Sequence, residues 1–167
     1  MIEVKEVKID GEIIHIFNSA IYIFESNTGY TLELDMIVSE VALKKYNHEE
    51  NLILEIELQD GRVINTFMHV RSLSGALPQL HLFCEWNDIE EYKDFHIVNE
   101  NDSLFPNIEE GITLEEIRKY EMPNEKITLK LNLPIDQTEW LQTKKNKELT
   151  QIFKQVIYEY WKSHGKS

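Results

Sequence analysis

Residues 51–71, NLILEIELQDGRVINTFMHVR, carry the pattern that decides the fold. Polar and apolar side chains alternate on both sides of Asp60-Gly61, and a period of two places the apolar ones on one face of a strand. An Asp-Gly pair between two such runs indicates a hairpin, because Gly accepts the positive φ that a tight turn needs. The stretch therefore predicts two antiparallel strands, 51–59 and 62–71, with one buried face.

The same pattern extends in both directions along the chain. Turn signals at Asp10-Gly11 and Asn27-Thr28-Gly29 separate further alternating runs. Ser39 and Thr113 occupy the N-cap positions of two short predicted helices. Closely spaced hairpins of this kind predict an α+β fold with an antiparallel bent sheet or barrel and a long C-terminal amphipathic helix. The additional strands are predicted over 2–9, 12–17, 20–26, 30–38, 79–86 and 94–98.

The C-terminal segment changes its period at Pro134. Residues 126–133, KITLKLNL, alternate as a strand does, whereas the residues after the proline repeat with a helical period. The change from period 2 to period 3.6 predicts a strand over 126–133 and helix from about 136 to 163. The chain is thus divided into an acidic, mainly antiparallel β domain (1–125) and a strand plus long helix (126–167), which we expect to pack on the same domain.

Charge is distributed unevenly along the 167 residues, whose formal net charge is −13. Residues 1–125 hold 26 acidic and nine basic side chains, a charge of −17, and residues 126–167 hold four acidic and eight basic, a charge of +4. This asymmetry indicates either a tail that binds an anionic partner or a basic tail that packs on its own acidic domain. The acidic domain itself favours a basic protein as partner.

The sequence favours a cytoplasmic location. Cys84 is the only cysteine, which excludes a disulfide framework. The N-terminus, MIEVKEVKID, lacks the apolar region of a signal peptide, and no apolar run reaches the length of a membrane span. A membrane partner is therefore not expected. The abundance of Ile, Lys, Glu and Asn is typical of a low-GC bacterium.

The closing segment combines the alternating strand 126–133, a proline and two helical stretches, 136–144 and 147–162. In this it resembles the ribbon-helix-helix family of DNA-binding proteins. The inter-helix turn of that family carries a helix-breaking residue, whereas 144–147 contain neither Gly nor Pro, so one continuous helix fits equally well. The charge of −17 on residues 1–125 also opposes phosphate binding at long range, and nucleic acid is not the partner we expect. The resemblance implies that base edges are read by Lys126, Thr128 and Lys130.

A polar strand face is predicted on the hairpin over 62–86. If its loop is centred on Gly75, His69 lies opposite His81, and facing imidazoles can share a metal ion or an anion. Because the spacing supplies no third ligand, we predict neither a metal site nor a cofactor. The residues that this face offers to a small ligand or a substrate are Phe67, His69, Arg71, His81 and Phe83.

Aromatic side chains cluster near the end of the predicted C-terminal helix. A tryptophan close to a chain end has little of its own domain to pack against. We therefore expect a contact with a protein partner or with a second copy in a homodimer. The residues expected at this interface are Tyr158, Tyr160 and Trp161.

The sequence contains none of the common catalytic motifs. Cys84 and His81 lie three residues apart on one strand and hence on opposite faces, so we predict that Cys84 is a core residue rather than a nucleophile. The function that the sequence favours is a non-catalytic cytoplasmic binding or regulatory protein that acts through protein–protein contacts, as an inhibitor or immunity protein does. One alternative is a ribbon-helix-helix-like DNA-binding regulator acting through 126–162. The other is an enzyme or small-ligand binder that uses the His69/His81 face.

Overall fold

Antiparallel hairpins build most of a single sheet. The computed structural model describes residues 1–73, 75–103 and 105–165. The strands are β1 (Val4–Ile9), β2 (Glu12–Ile13), β3 (Asn18–Ser26), β4 (Gly29–Ile37), β5 (Asn51–Leu58), β6 (Val63–Arg71), β7 (Gln79–Glu85) and β8 (Ile97–Asn99). The helices are α1 (Glu40–Tyr46), α2 (Leu114–Tyr120), α3 (Ile135–Gln142) and α4 (Asn146–His164), with a short 3₁₀ turn at Ile89–Tyr92.

The eight strands follow the order β2-β1-β5-β6-β7-β4-β3-β8. The predicted α+β class with a bent sheet is confirmed, and the sheet is open rather than closed into a barrel. It is mixed rather than wholly antiparallel, because β8 runs parallel to β3. The parallel pair arises because residues 86–96 carry the chain past β4 to the outer edge of β3.

Local signals were accurate at the first hairpin turn and at the starts of α1 and α2. Asp10 and Gly11 have φ of 50° and 85°, the left-handed pair that a tight hairpin turn between β1 and β2 requires. The Ser39 hydroxyl accepts a hydrogen bond from the Ala42 N–H at the start of α1. At the start of α2 the predicted N-cap Thr113 forms a reciprocal capping box with Glu116.

The two faces of the sheet have different surroundings. One face forms the main core, in which alternate side chains of β1 and β3–β7, such as Leu34, Met68 and Leu82, are buried. Cys84 is buried in this core, as predicted. The opposite face is covered only in part, by a smaller core in which Ile108 and Ile117 pack on β3. The rest of that second face is where the polar side chains of β4, β6 and β7 lie.

The chain divides into two compact units, Met1–Asn124 and Glu125–Ser167. All eight strands lie in the first unit, and the second contains α3 and α4. No residue among 125–165 is buried. The packing of the C-terminal segment on the sheet domain stays a prediction.

The predicted strand over 126–133 is wrong, since residues 121–134 belong to no helix or strand. Alternation determines which side chains share a face, but a strand also needs a neighbour for its backbone N–H and C=O groups. No strand of the described chain pairs with these residues.

The helix predicted from about 136 to 163, which the sequence left open as one helix or two, is two helices, and its long amphipathic part is confirmed as α4. Between them, Lys145 has extended backbone angles (φ −75°, ψ 151°). Its backbone N–H donates a hydrogen bond of 3.0 Å to the Glu148 carboxylate. A carboxylate three residues ahead thus caps the new helix, so the break needs neither Gly nor Pro.

Candidate functional site on the sheet face

Polar side chains of three neighbouring strands meet on the partly covered face of the sheet, which we call the polar face. Strand pairing places His81 between Asp35 on one side and Arg71 on the other. Phe83 likewise lies between Glu33 and His69. The central strand of these three is β7, and its alternation with Leu80, Leu82 and Cys84 explains why the polar side chains share this face.

A buried histidine held by two carboxylates forms the centre of the polar face. His81 Nδ1 makes a short contact with Asp35 Oδ1, and His81 Nε2 lies 2.7 Å from Glu33 Oε2. All three side chains are buried. The Tyr22 hydroxyl donates to Asp35 Oδ2 (3.1 Å), and the Thr31 hydroxyl donates to Glu33 Oε1 (2.5 Å). We refer to His81, Glu33 and Asp35 as the histidine–carboxylate cluster.

The cluster holds the imidazole in its charged form. Burial by itself lowers the pKa of His81, but the contacts with Asp35 and Glu33 outweigh burial and raise that pKa from 6.5 to about 9. Burial, followed by the charges of Asp35 and Glu33, raises the pKa of the Tyr22 hydroxyl, which keeps its proton and remains a donor. The cluster at neutral pH is therefore an imidazolium between two carboxylates.

This arrangement suits a structural role better than proton transfer to a substrate. A general base needs a ring nitrogen within reach of the proton that it takes. Both nitrogens of His81 face carboxylates in the interior of the protein, and the ring is already protonated at neutral pH. On the other face of β7, burial raises the pKa of the Cys84 thiol, which disfavours the nucleophilic thiolate.

The predicted pairing across β6 and β7 is wrong by two residues. His69 pairs with Phe83, and Arg71 pairs with His81, so the two histidines are not opposite each other. The loop between the strands did not determine the register. A shift of two residues nevertheless leaves every side chain on its predicted face of the sheet. His69 is exposed and His81 is buried, which separates the two imidazoles that were expected to share a ligand. Ligand binding by these residues stays a prediction.

The exposed part of the polar face is aromatic and basic. The Arg71 guanidinium lies over the ring of Phe83, with its Cζ 4.2 Å from the ring centre. The His69 ring lies 5.4 Å from the same phenyl ring, centre to centre. A guanidinium at this distance from an aromatic face is held by a cation–π interaction and still has N–H groups for a ligand or partner.

An apolar patch continues from β6 onto β5. Phe67 and Ile53 are directly opposite each other in the strand pairing and are 70 % and 55 % exposed. They line a shallow depression of about 360 Å³, whose polar wall includes Lys8, Glu55 and Asn65. The Lys8 ammonium and the Glu55 carboxylate form an ion pair at 2.7 Å along this wall. Phe67 was predicted as a site residue, whereas Ile53 was not.

Glu33, Asp35 and Tyr22 were not among the predicted site residues. Their signal was present, because Glu33 and Asp35 alternate with Leu32, Leu34 and Met36 and therefore share one face of β4. No group of three or more His, Cys, Asp or Glu side chains in the described part of the chain is arranged to hold a metal ion.

The aromatic residues predicted at an interface lie on α4. Tyr158 and Trp161 are neighbours, with ring centres 6.2 Å apart, and Tyr160 stacks on His164. The side chains of Tyr158, Tyr160 and Trp161 are all exposed. Their contact with a partner stays a prediction.

None of the helices in the described residues has the length and apolar character that a membrane span requires. Comparison with protein-family models, with curated proteins and with solved structures gives no match for this chain.

Proposed function

We propose that this chain is a non-catalytic binding or regulatory protein of the cytoplasm that acts through protein–protein contacts, in the manner of an inhibitor or immunity protein. The observation that carries the proposal is the exposed Ile53–Phe67 pair on the polar face. Large apolar side chains next to each other on a solvated sheet face are typical of a contact surface. The single, buried cysteine supports a reducing compartment.

The partner that fits this surface is a basic protein. The sheet domain carries most of the −17 charge of residues 1–125, which attracts a positively charged protein at long range. At short range, Phe67 and Ile53 supply the apolar anchor, since aromatic side chains near the centre of an interface commonly dominate its binding energy. The histidine–carboxylate cluster lies on β4 and β7 of the same sheet face and links these two strands.

Truncating Phe67 is expected to weaken partner binding without unfolding the sheet. Phe67→Ala removes an exposed side chain, so the free energy of unfolding should change by less than about 0.5 kcal/mol. The affinity for the partner should fall about 10-fold or more. Partner capture from cells that produce the protein, followed by reconstitution from purified components, measures this change. Binding should also weaken with added salt if the partner is basic.

The matched control is Val63→Ala, which truncates an exposed apolar side chain on the same strand and the same face. This variant should bind the reconstituted partner with wild-type affinity. Equal affinity of wild type, Phe67→Ala and Val63→Ala would contradict the assignment of the surface. A reconstituted partner without net positive charge would contradict the charge argument.

The division of the C-terminal segment into two helices favours a second candidate, a DNA-binding regulator. Two helices after an alternating stretch match the ribbon-helix-helix resemblance more closely than one helix does. In this function Lys126, Thr128 and Lys130 contact DNA, and the +4 charge of residues 126–167 favours phosphate. The negative charge of the remaining chain opposes phosphate binding, so we rank this function second.

A DNA titration distinguishes the two functions. For a protein-binding function we expect no saturation of a labelled random duplex below roughly 100 μM protein at low salt, the weak end of nonspecific binding. Tight binding that falls steeply with salt and is lost in the Lys126→Ala/Lys130→Ala variant would establish the second function instead. A variant with both Gln137→Ala and Gln151→Ala changes exposed helix positions without removing charge and serves as the control.

A further inference from the structure

The stretch 127–133 places four aliphatic side chains at every second position without burying any of them. Ile127 is 82 % exposed and Leu129 71 %, and Leu131 and Leu133 are exposed as well. Strict alternation is the pattern of a strand with one buried face, yet no strand in the described chain pairs with these residues. In the described chain, therefore, neither the backbone nor the apolar side chains of this stretch have a neighbouring strand to pair with.

The helix α4 exposes a second apolar surface in the same unit. Phe153, Val156, Ile157 and Tyr160 recur at helical spacing along one side of the helix, and all four are exposed. Glu125–Ser167 is a small unit, and no residue among 125–165 is buried. A unit of about 40 residues without a buried core is below the size that folds stably by itself, so it needs an additional surface to pack against.

The exposed apolar area matches what a stable dimer buries. Twelve large apolar side chains between Ile127 and Trp161 are exposed. Their exposed fractions correspond to on the order of 1,000 Å² per chain, compared with about 800 Å² per partner in a standard interface. The exposed apolar area of the whole unit thus exceeds what one side of a standard interface buries.

A second copy of residues 126–133 complements the first. In an antiparallel pair centred on Leu129, that residue meets its own copy and Ile127 meets Leu131, which makes one continuous apolar face. On the other face Lys130 meets Thr128 and Lys126 meets Asn132, so no two lysines are directly opposite. The edge strands of the sheet are poorer partners for an eight-residue strand, because β2 has two residues and β8 has three.

We propose that this protein forms a homodimer in which residues 126–133 of two copies pair as antiparallel strands across a two-fold axis. The apolar side of α4 is buried against the same ribbon, which gives the unit Glu125–Ser167 the core that it lacks in one copy. The contact goes beyond the first proposed function, since it involves neither Phe67 nor the polar face, and it requires no DNA although it uses the stretch of the second candidate. It would present two copies of the polar face to a partner.

The test is the mass of the full chain in solution, measured by light scattering across a concentration series. Wild type should show twice the chain mass of 19.8 kDa at high concentration. Leu129→Asp places a charge in the apolar face of the ribbon and should raise the dimer dissociation constant on the order of 100-fold. Thr128→Asp places the same charge on the polar face, next to lysines, and should remain dimeric.

Both Asp variants are checked by the circular dichroism and thermal transition of the sheet domain, which should match wild type. Amide exchange of wild type at two concentrations provides a measurement that does not depend on any variant. The amides of 127–133 should exchange more slowly at the concentration at which the dimer forms. A wild type that is monomeric at every concentration would overturn the proposal, and so would equal masses for the two Asp variants. Amide exchange rates at 127–133 that do not change when the dimer forms would overturn it as well. Phe67→Ala should leave the mass unchanged, so failure of the homodimer and failure of the proposed function are distinguishable.

Discussion

His81→Ala is expected to lower the free energy of unfolding by about 3–5 kcal/mol, the usual cost of removing one partner from a buried ion pair. The substitution leaves Glu33 and Asp35 buried on adjacent positions of one strand face without the imidazolium between them. The carboxylates must then stay charged in a poorly solvated place, take up protons, or separate by opening the sheet. Chemical denaturation at pH 7 measures the change.

Two further variants test whether charge is the cause. His69→Ala removes an exposed imidazole from the neighbouring strand and should change the free energy of unfolding by less than about 0.5 kcal/mol. Asp35→Asn introduced into His81→Ala removes one of the stranded carboxylates and should restore part of the lost stability, with a coupling of about 0.5–3 kcal/mol. A loss below 1 kcal/mol in His81→Ala, or no coupling with Asp35→Asn, would show that the cluster does not stabilise the fold.

Features that depend on a few consecutive residues could be predicted from the sequence. The hairpin at Asp60-Gly61 and the turn at Asp10-Gly11 follow from glycine next to a polar residue between alternating runs. The starts of α1 and α2 follow from Ser39 and from the Thr113/Glu116 box. In each case the atoms that stabilise the feature lie within about four residues of one another.

The candidate site depends on strand order, which the sequence does not encode locally. Asp35 and His81 are 46 residues apart, and they meet because β4 pairs with β7 after the excursion through β5 and β6. The register of β6 and β7 could not be predicted for a related reason. Alternation determined correctly that His69 and His81 share a face, but it does not distinguish a pairing from one shifted by two residues.

The C-terminal segment shows a third reason why a prediction from sequence can fail. The alternation in 126–133 predicts a strand correctly only when a partner strand is available, and none lies in the described chain. The pattern therefore specifies a surface to be covered rather than a formed element. The sequence left open whether 136–163 is one helix or two because no Gly or Pro marks the break at Lys145, where the Glu148 carboxylate provides the cap.

The stability of the sheet domain should decrease as the pH rises from about 6.5 to 9. The folded-state pKa of His81 is about 9, compared with 6.5 for an ordinary histidine. The folded state therefore binds a proton in this range that the unfolded state has released, and raising the pH favours unfolding. The stabilisation is complete below pH 6.5 and is lost as the pH passes through 9. A pKa difference of this size contributes on the order of 3 kcal/mol to the free energy of unfolding. That free energy changes with pH by at most about 1.4 kcal/mol per pH unit.

Denaturant titrations at half-unit intervals between pH 6 and 9 measure this slope, and two variants assign it. In His81→Asn the group that changes its protonation is gone, so the slope should nearly vanish although the protein is less stable throughout. Cys84→Ala should keep the slope below pH 8.5. The pKa of the buried Cys84 thiol is also raised, so that group weakens folding only near the pH at which an unfolded thiol ionises. A wild-type stability that is constant or rises between pH 6.5 and 9 would mean that His81 is neutral in the folded protein.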